Sequence, residues 1–313
     1  MPISSFHALS SGFCDLAGVG APALQPDAHG ALAFSVRLRG VDLTLVELIH
    51  SSNSAFALVA ELGNMPEQHA RAGWLALLDA NFTSAAGVAP CYSCNPQTGT
   101  VVLQWTAALQ DVAYTDVYQW ACKMADAALL WRAGYFLDLQ VRQPDPQAFS
   151  LLEDASRHAE PAAAQWQEKF NAMYRGLCEA VGQPAQQVTA AVPTRTLSMR
   201  VADMDVAMIH SSVFKPEVVF VGVLMNSLPE VKPLHLEALL RANFAFAANP
   251  HSAKFCRNPF TGDLLLQYAY PLADANGADC LARLVSMVAL AHEWTASVQA
   301  ADAAPIADRQ DAT

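Results

Sequence analysis

Apolar residues spaced by three and four open the chain. Phe6, Leu9, Phe13 and Leu16 form one stripe and predict an amphipathic helix from Ser4 to Gly18. Ser4 or Ser5 has the hydroxyl that caps a first turn, and Gly18 suits the left-handed residue that ends a helix. After a loop marked by Pro22, Pro26 and Gly30 the period changes to two. Leu32, Phe34, Val36 and Leu38 alternate with small or charged residues, Arg39-Gly40 turns the chain, and Val41, Leu43 and Leu45 resume the alternation. Phe56 to Leu62 is nearly continuous in apolar residues and reads as a central strand. Pro66-Glu67 opens a second helix that carries Trp74, Leu75 and Leu78, since Pro and an acid both suit a first turn. Two strands then flank a turn at Asn95 to Gly99, and a last helix runs from about Tyr114 to Trp131.

The same series of elements returns. Phe170, Met173, Leu177 and Ala180 repeat the first stripe and end at Gly182. Leu197, Met199 and Val201, a turn at Ala202-Asp203, then Met204, Val206 and Met208 repeat the hairpin. Val219 to Met225 repeats the central strand, Pro229-Glu230 precedes a helix with Leu236, Leu239 and Leu240, and the last helix spans about Asp279 to Trp294. One passage is nearly preserved: L-L-D-A-N-F at Leu77 to Phe82 returns as L-L-R-A-N-F at Leu239 to Phe244. Likewise N-P-Q-T-G-T-V-V-L-Q-W at Asn95 to Trp105 returns as N-P-F-T-G-D-L-L-L-Q-Y at Asn258 to Tyr268. The step from Asn95 to Asn258 equals those from Pro66 to Pro229 and from Trp131 to Trp294. I-H-S-S, at Ile49 and Ile209, departs from this step, but shifting the register to match it would turn the apolar face of a strand outward. So long a repeat exceeds the roughly 20–50 residues of a solenoid unit or propeller blade.

The pattern therefore predicts an α+β fold, a tandem duplication of a helix–three strands–helix–two strands–helix domain with an antiparallel sheet. Expected boundaries are residues 1–139 for copy one, 140–161 for a linker around Gln143-Pro-Asp-Pro, 162–299 for copy two, and 300–313 for a disordered tail. In L-L-x-A-N-F the leucines close an apolar helical stripe, and Asn is expected to end the helix in the left-handed conformation it tolerates. N-P-x-T-G is turn chemistry, with Pro fixing one corner and Gly supplying a positive φ. None of these residues is a reagent.

Composition narrows the function. Of 313 residues 53% are apolar and 15% charged, enough to fill two cores and leave apolar surface for a partner. The 18 basic and 29 acidic residues give a formal charge of −11, which repels phosphate backbones and argues against nucleic acid as a partner. Met1 to Gly20 lacks a basic n-region and carries Asp15, so no signal peptide is expected. The longest apolar run, Val218 to Met225, is too short to insert across a membrane. Seven scattered cysteines suit reduced thiols and a cytoplasmic location.

Cys91 and Cys94 form a C-x-x-C that could carry redox or metal chemistry. It lies on a strand rather than where a strand enters a helix, and copy two has Lys254 and Arg257 there, so the pair is outside the shared design. His50, His69, His210, His235 and His292 show no metal-ligand spacing. G-x-S-x-G, Walker and dinucleotide-binding glycine motifs are absent. The expectation is a protein that is not an enzyme and uses no cofactor or metal.

This order of elements, the acidic balance, L-P or M-P before helix two, L-L-x-A-N-F closing it and N-P-x-T-G-x-x-x-L-Q after it resemble class I type III secretion chaperones of the Tir-chaperone kind. The likeness covers about Ile3 to Arg132 and again Gln165 to Val298. It implies a cytoplasmic chaperone that binds the N-terminal segment of a secreted effector in an extended, secretion-competent form, by helix packing or strand addition on apolar patches. Those patches map to Phe6, Leu9, Phe13, Phe34 and Val36 in copy one and to Met173, Leu177, Leu197 and Met199 in copy two. A family-type dimer interface would place Trp74, Leu77, Leu78 and Phe82 opposite Leu236, Leu239, Leu240 and Phe244. Two copies in one chain then imply a monomer with a pseudo-two-fold axis rather than a homodimer. The alternatives are a regulatory or protein-binding module of the same fold without a secretion client, and a thiol enzyme using Cys91 and Cys94.

Overall fold

The computed structural model describes residues 3–26, 30–49, 54–83, 90–134, 161–186, 194–211, 216–225, 232–247, 253–273 and 275–303. In the first half these form α1 (Phe6–Ala17), β1 (Ala33–Leu38), β2 (Val41–Leu48), β3 (Ala55–Asn64), α2 (Ala70–Thr83), β4 (Cys91–Cys94), β5 (Thr100–Ala108) and α3 (Tyr114–Arg132). In the second they form α4 (Pro161–Ala180), β6 (Thr194–Val201), β7 (Met204–Ser211), β8 (Val218–Leu224), α5 (Pro233–Phe246), β9 (Lys254–Arg257), β10 (Leu264–Pro271) and α6 (Gly277–Ala303). Among the described residues the strands form two five-stranded sheets, ordered β1-β2-β3-β5-β4 and β6-β7-β8-β10-β9. The fold is α+β, with antiparallel strands.

Local chemistry accounts for the ends of the elements. Ser5 Oγ accepts the Ala8 N–H at 3.2 Å, and Gly18 ends α1 at φ 68°. Arg39 and Gly40 both take positive φ, 52° and 79°, as a two-residue hairpin turn requires. In both N-P-x-T-G turns the Asn side chain accepts a backbone N–H two residues on, at Gln97 and at Phe260, each 2.9 Å. Pro66 leads only into a single 3-10 turn, Glu67–His69, before α2 begins at Ala70. Pro229 and Glu230 lie outside the described residues, as does the expected linker up to Pro161, the first residue of α4. The last helix runs on to Ala303, and residues 304–313 lie outside the described set.

One expectation is overturned. Asn81 and Asn243 do not end their helices: each lies inside a helix that continues past it, and both are fully buried. Their amides instead bind the neighbouring strand. Asn81 Nδ2 donates to the Tyr92 carbonyl and Oδ1 accepts the Tyr92 N–H, both at 2.8 Å. Asn243 makes the same pair with Phe255, at 2.9 and 2.7 Å. A buried backbone edge needs partners, and a primary amide matches one donor and one acceptor at strand spacing.

The chain divides into two compact units, Met1–Gln143 with Lys232–Arg257, and Pro144–Val231 with Asn258–Thr313. In the first, α1 and α3 pack on β1 to β3, where Phe6 and Phe13 meet Phe34 edge-on at 5.7 and 6.2 Å. Trp105 of β5 meets Trp120 of α3 at 5.7 Å. In the second, α4 and α6 cross so closely that a Cβ on Gly277 would lie 2.5 Å from the Gly176 backbone, which restricts that position to glycine.

Candidate functional site

Three places bear on function: the outer edges of β1 and β6 beneath α1 and α4, the helix–strand layer built on α2 and α5, and the cysteine pair.

The nine residues expected to receive a client are buried. Phe6, Leu9, Phe13, Phe34 and Val36 lie between α1 and β1, and Met173, Leu177, Leu197 and Met199 are enclosed likewise in the second unit. Each strand alternates so that these side chains face inward while Ser35, Arg37, Ser198 and Arg200 face out. In the free chain the nine are the floor of the helix–sheet contact rather than an open patch. Leu16, in the last turn of α1, and Val19, just past it, are exposed apolar residues, at 43% and 40%.

The helix–strand layer lies wholly within the first compact unit. There α2 packs on β9 and on α5, and α5 packs on β4. Trp74, Leu77, Leu78, Leu236, Leu239 and Leu240 are buried, whereas Phe82 and Phe244 are partly exposed. One residue pair that the sequence did not suggest ties the layer. Arg257 of β9 grips Asp79 of α2 with two parallel bonds of 2.6 Å, both side chains largely buried. The residue that matches Asp79 in the repeat is Arg241. It bonds Glu237 one turn back, at 2.6 and 2.9 Å, and reaches the Pro96 carbonyl at 3.4 Å. Thr106 of β5 also donates to the carbonyl of Ala247.

Cys91 and Cys94 sit three apart on a strand, so their side chains leave opposite faces and form no shared site. Both thiols are free and buried. Burial pushes the Cys91 thiol up to about 11 against the pull of Lys254, and burial raises Cys94 as well. A thiol held protonated is a poor nucleophile and a poor metal ligand. Among the described residues no group of three or more His, Cys, Asp or Glu side chains could hold a metal ion, and no helix is long and apolar enough to cross a membrane.

A second feature missed in the sequence lies at the edge of β6. Gln183, just past α4, accepts the Arg200 N–H through Oε1 at 3.2 Å and donates Nε2 to the Arg200 carbonyl at 2.5 Å. Gln186 Nε2 reaches the Ser198 carbonyl at 3.4 Å.

A model of the Tir chaperone protein (CesT) family matches residues 183–295. No curated protein matches the chain. Among solved structures, the Yersinia pestis type III secretion chaperone SycH, in complex with a stable fragment of YscM2, is similar at 13% identity and TM-score 0.31, over 41% of this chain and 99% of that one. The HopA1–SchA chaperone–effector complex is similar at 18% identity and TM-score 0.29, over 40% of this chain and 91% of that one.

Proposed function

We propose that this chain is a cytoplasmic type III secretion chaperone that binds the N-terminal segment of a secreted effector and keeps it extended. The observation that carries the reading is the match of the Tir chaperone family model to residues 183–295. The strand order of that half also occurs in residues 33–108, which supports a second domain of the same kind. The client covers apolar surface beside the two helix–sheet layers, α1 on β1 and α4 with β6, over the buried floor named above, and adds as a strand at one sheet edge. An extended segment gains affinity there by covering apolar surface and by adding to a sheet edge, which offsets its ordering cost.

In this reading the protein binds and does not catalyse. The raised Cys91 and Cys94 thiols on opposite strand faces weigh against thiol chemistry. The α2–β9 and α5–β4 packing serves as the dimer interface of a fused pair, so the active species is one chain with a pseudo-two-fold axis.

Co-expression with the effector tests the reading. A stable complex is expected, in which limited proteolysis spares the N-terminal segment of the effector. Cleavage of that segment at the same rate with and without this chain would remove the proposal.

A further inference from the structure

The two domains are not equivalent at the edge where a client strand would add. In each hairpin a two-residue turn makes the flanking residues the closing pair, Leu38 with Val41 and Val201 with Met204. Counting back from those pairs, Phe34 and Val36 bond β2 and Leu197 and Met199 bond β7. Ser35 and Arg37, and likewise Ser198 and Arg200, aim their N–H and C=O groups away from the sheet.

At β6 three of these four groups are taken. The Gln183 amide satisfies both backbone groups of Arg200, and Gln186 bonds the Ser198 carbonyl. The side chains thus imitate the backbone of a pairing strand. At β1 the chain's own Pro26 bridges Leu32 just before the strand, while the matching groups on Ser35 and Arg37 beyond it have no protein partner among the described residues. Equivalent positions follow from the helix ends: Gly18 and Gly182 both have φ 68°, and the next N–H bonds the Cys14 or Cys178 carbonyl, at 3.0 and 2.9 Å. Gln183 therefore corresponds to Val19, whose side chain has no amide and is exposed, as is that of Leu16. Pro22 stands where Gln186 stands.

We infer that Gln183 and Gln186 are a latch that closes the β6 edge at its hairpin end, over Ser198 and Arg200, and that the corresponding stretch of β1, Ser35 to Arg37, is the edge reserved for an extended polypeptide segment with apolar side chains toward Leu16 and Val19. The occupant is a polypeptide because the latch shows what the edge accepts: alternating amide donors and acceptors at strand spacing. Each chain then takes one client strand, not two. The assignment of a client rests on the proposed chaperone function; the latch itself does not.

Residue-resolved amide exchange on the full chain tests both parts. In the free protein the Arg200 amide should exchange at least about tenfold more slowly than the Arg37 amide. The double variant Gln183→Val, Gln186→Ala should bring Arg200 to the Arg37 rate while Met199 and Val201, bonded to β7, stay slow. Fast exchange of Arg200 in the unaltered chain overturns the latch. The second arm uses the complex with the polypeptide that co-purifies from the native cell. Ser35 and Arg37 should become protected there, with Arg200 bonded as before and one strand bound per chain. Val19→Gln should abolish the new protection without unfolding the chain, since Val19 is a surface position. Loss of the Gln183 contact on client binding, with Ser35 and Arg37 still fast, overturns the choice of edge. If no polypeptide co-purifies, the chaperone reading and the choice of edge both fail, and the first arm still decides the latch.

Discussion

Asn81 in α2 satisfies both backbone groups of Tyr92 in β4 with one amide, at 2.8 Å for each bond, and Asn243 does the same for Phe255. A helix is thereby hydrogen-bonded to the outer edge of a four-residue strand that is too short to hold its place by pairing alone. Substituting Asn81 by Ala leaves a part-buried N–H and C=O unmade, each costing about 1–3 kcal/mol. Asn81→Ala should lower stability by roughly 2–4 kcal/mol on that basis, read by urea unfolding. Asn81→Gly discriminates further. A helix-ending Asn would tolerate Gly, whereas the clamp predicts a loss at least as large as for Ala.

Asp79 and Arg257 carry the second prediction. Their paired bonds are largely shielded from water, so Asp79→Asn should destabilise the α2–β9 contact by roughly 1–3 kcal/mol. Exchanging the charges, Asp79→Arg with Arg257→Asp, should recover part of that loss, whereas Asp79→Arg alone should be the worst of the three. Light scattering on the unaltered protein should give the 33.6 kDa of one chain. Twice that mass, unchanged on dilution, would mean that the layer is completed between chains.

His210 predicts a pH dependence. Its ring stacks on Phe170 at 4.9 Å, and Nε2 faces the Pro216 carbonyl at 2.9 Å, which can only accept, so Nε2 carries the proton. Burial holds this imidazole below its ordinary range, outweighing the carbonyl contact. The unfolded chain therefore binds a proton more readily than the folded one, and stability falls as pH drops below about 6.5, levelling off beneath the folded value. Urea midpoints between about pH 7.5 and 5 should decline in the unaltered protein and decline less in His210→Gln. An equal slope in both would assign the effect elsewhere.

The cysteines give a negative expectation that can be measured. With Cys91 pushed up to about 11 and both thiols buried, alkylation by iodoacetamide at pH 8 should leave Cys91 and Cys94 unmodified in the native state and label both on unfolding. A Cys91→Ser, Cys94→Ser variant should fold and bind client as the unaltered chain does. Rapid native labelling of either residue would reopen the thiol reading.

The parts of this fold that sequence reveals are the local ones. Alternation in Phe34, Val36 and Leu38 and the Arg39-Gly40 turn fix a hairpin within a few residues, and Ser5 and Gly18 bound α1 by their own chemistry. Asn81 was misread because its intrinsic tolerance of a left-handed ending is a local property, while its actual partner lies on a strand beyond the helix. The available clue was that Asn recurs at Asn243, with neither copy followed by Gly, and that a short strand comes next in both. Asp79 and Arg257 were illegible for a related reason: the bond joins non-equivalent positions of the two copies, so aligning the copies separates the partners. The expected client residues followed hydrophobicity, which marks the buried floor. The accessible positions beside it, Val19 and Gln183, differ between the copies and so drop out of any reading built on what repeats.

The proposed chaperone role requires that this chain hold an effector segment in extended form. The most direct measurement isolates the chain from its native cell with whatever polypeptide accompanies it, and maps amide exchange along that partner. The account predicts a stoichiometric partner whose N-terminal segment is protected in the complex, exchanges freely once released, and is required for binding when deleted. A partner bound through a folded domain, with its N-terminal segment exchanging at the free rate in the complex, would contradict it.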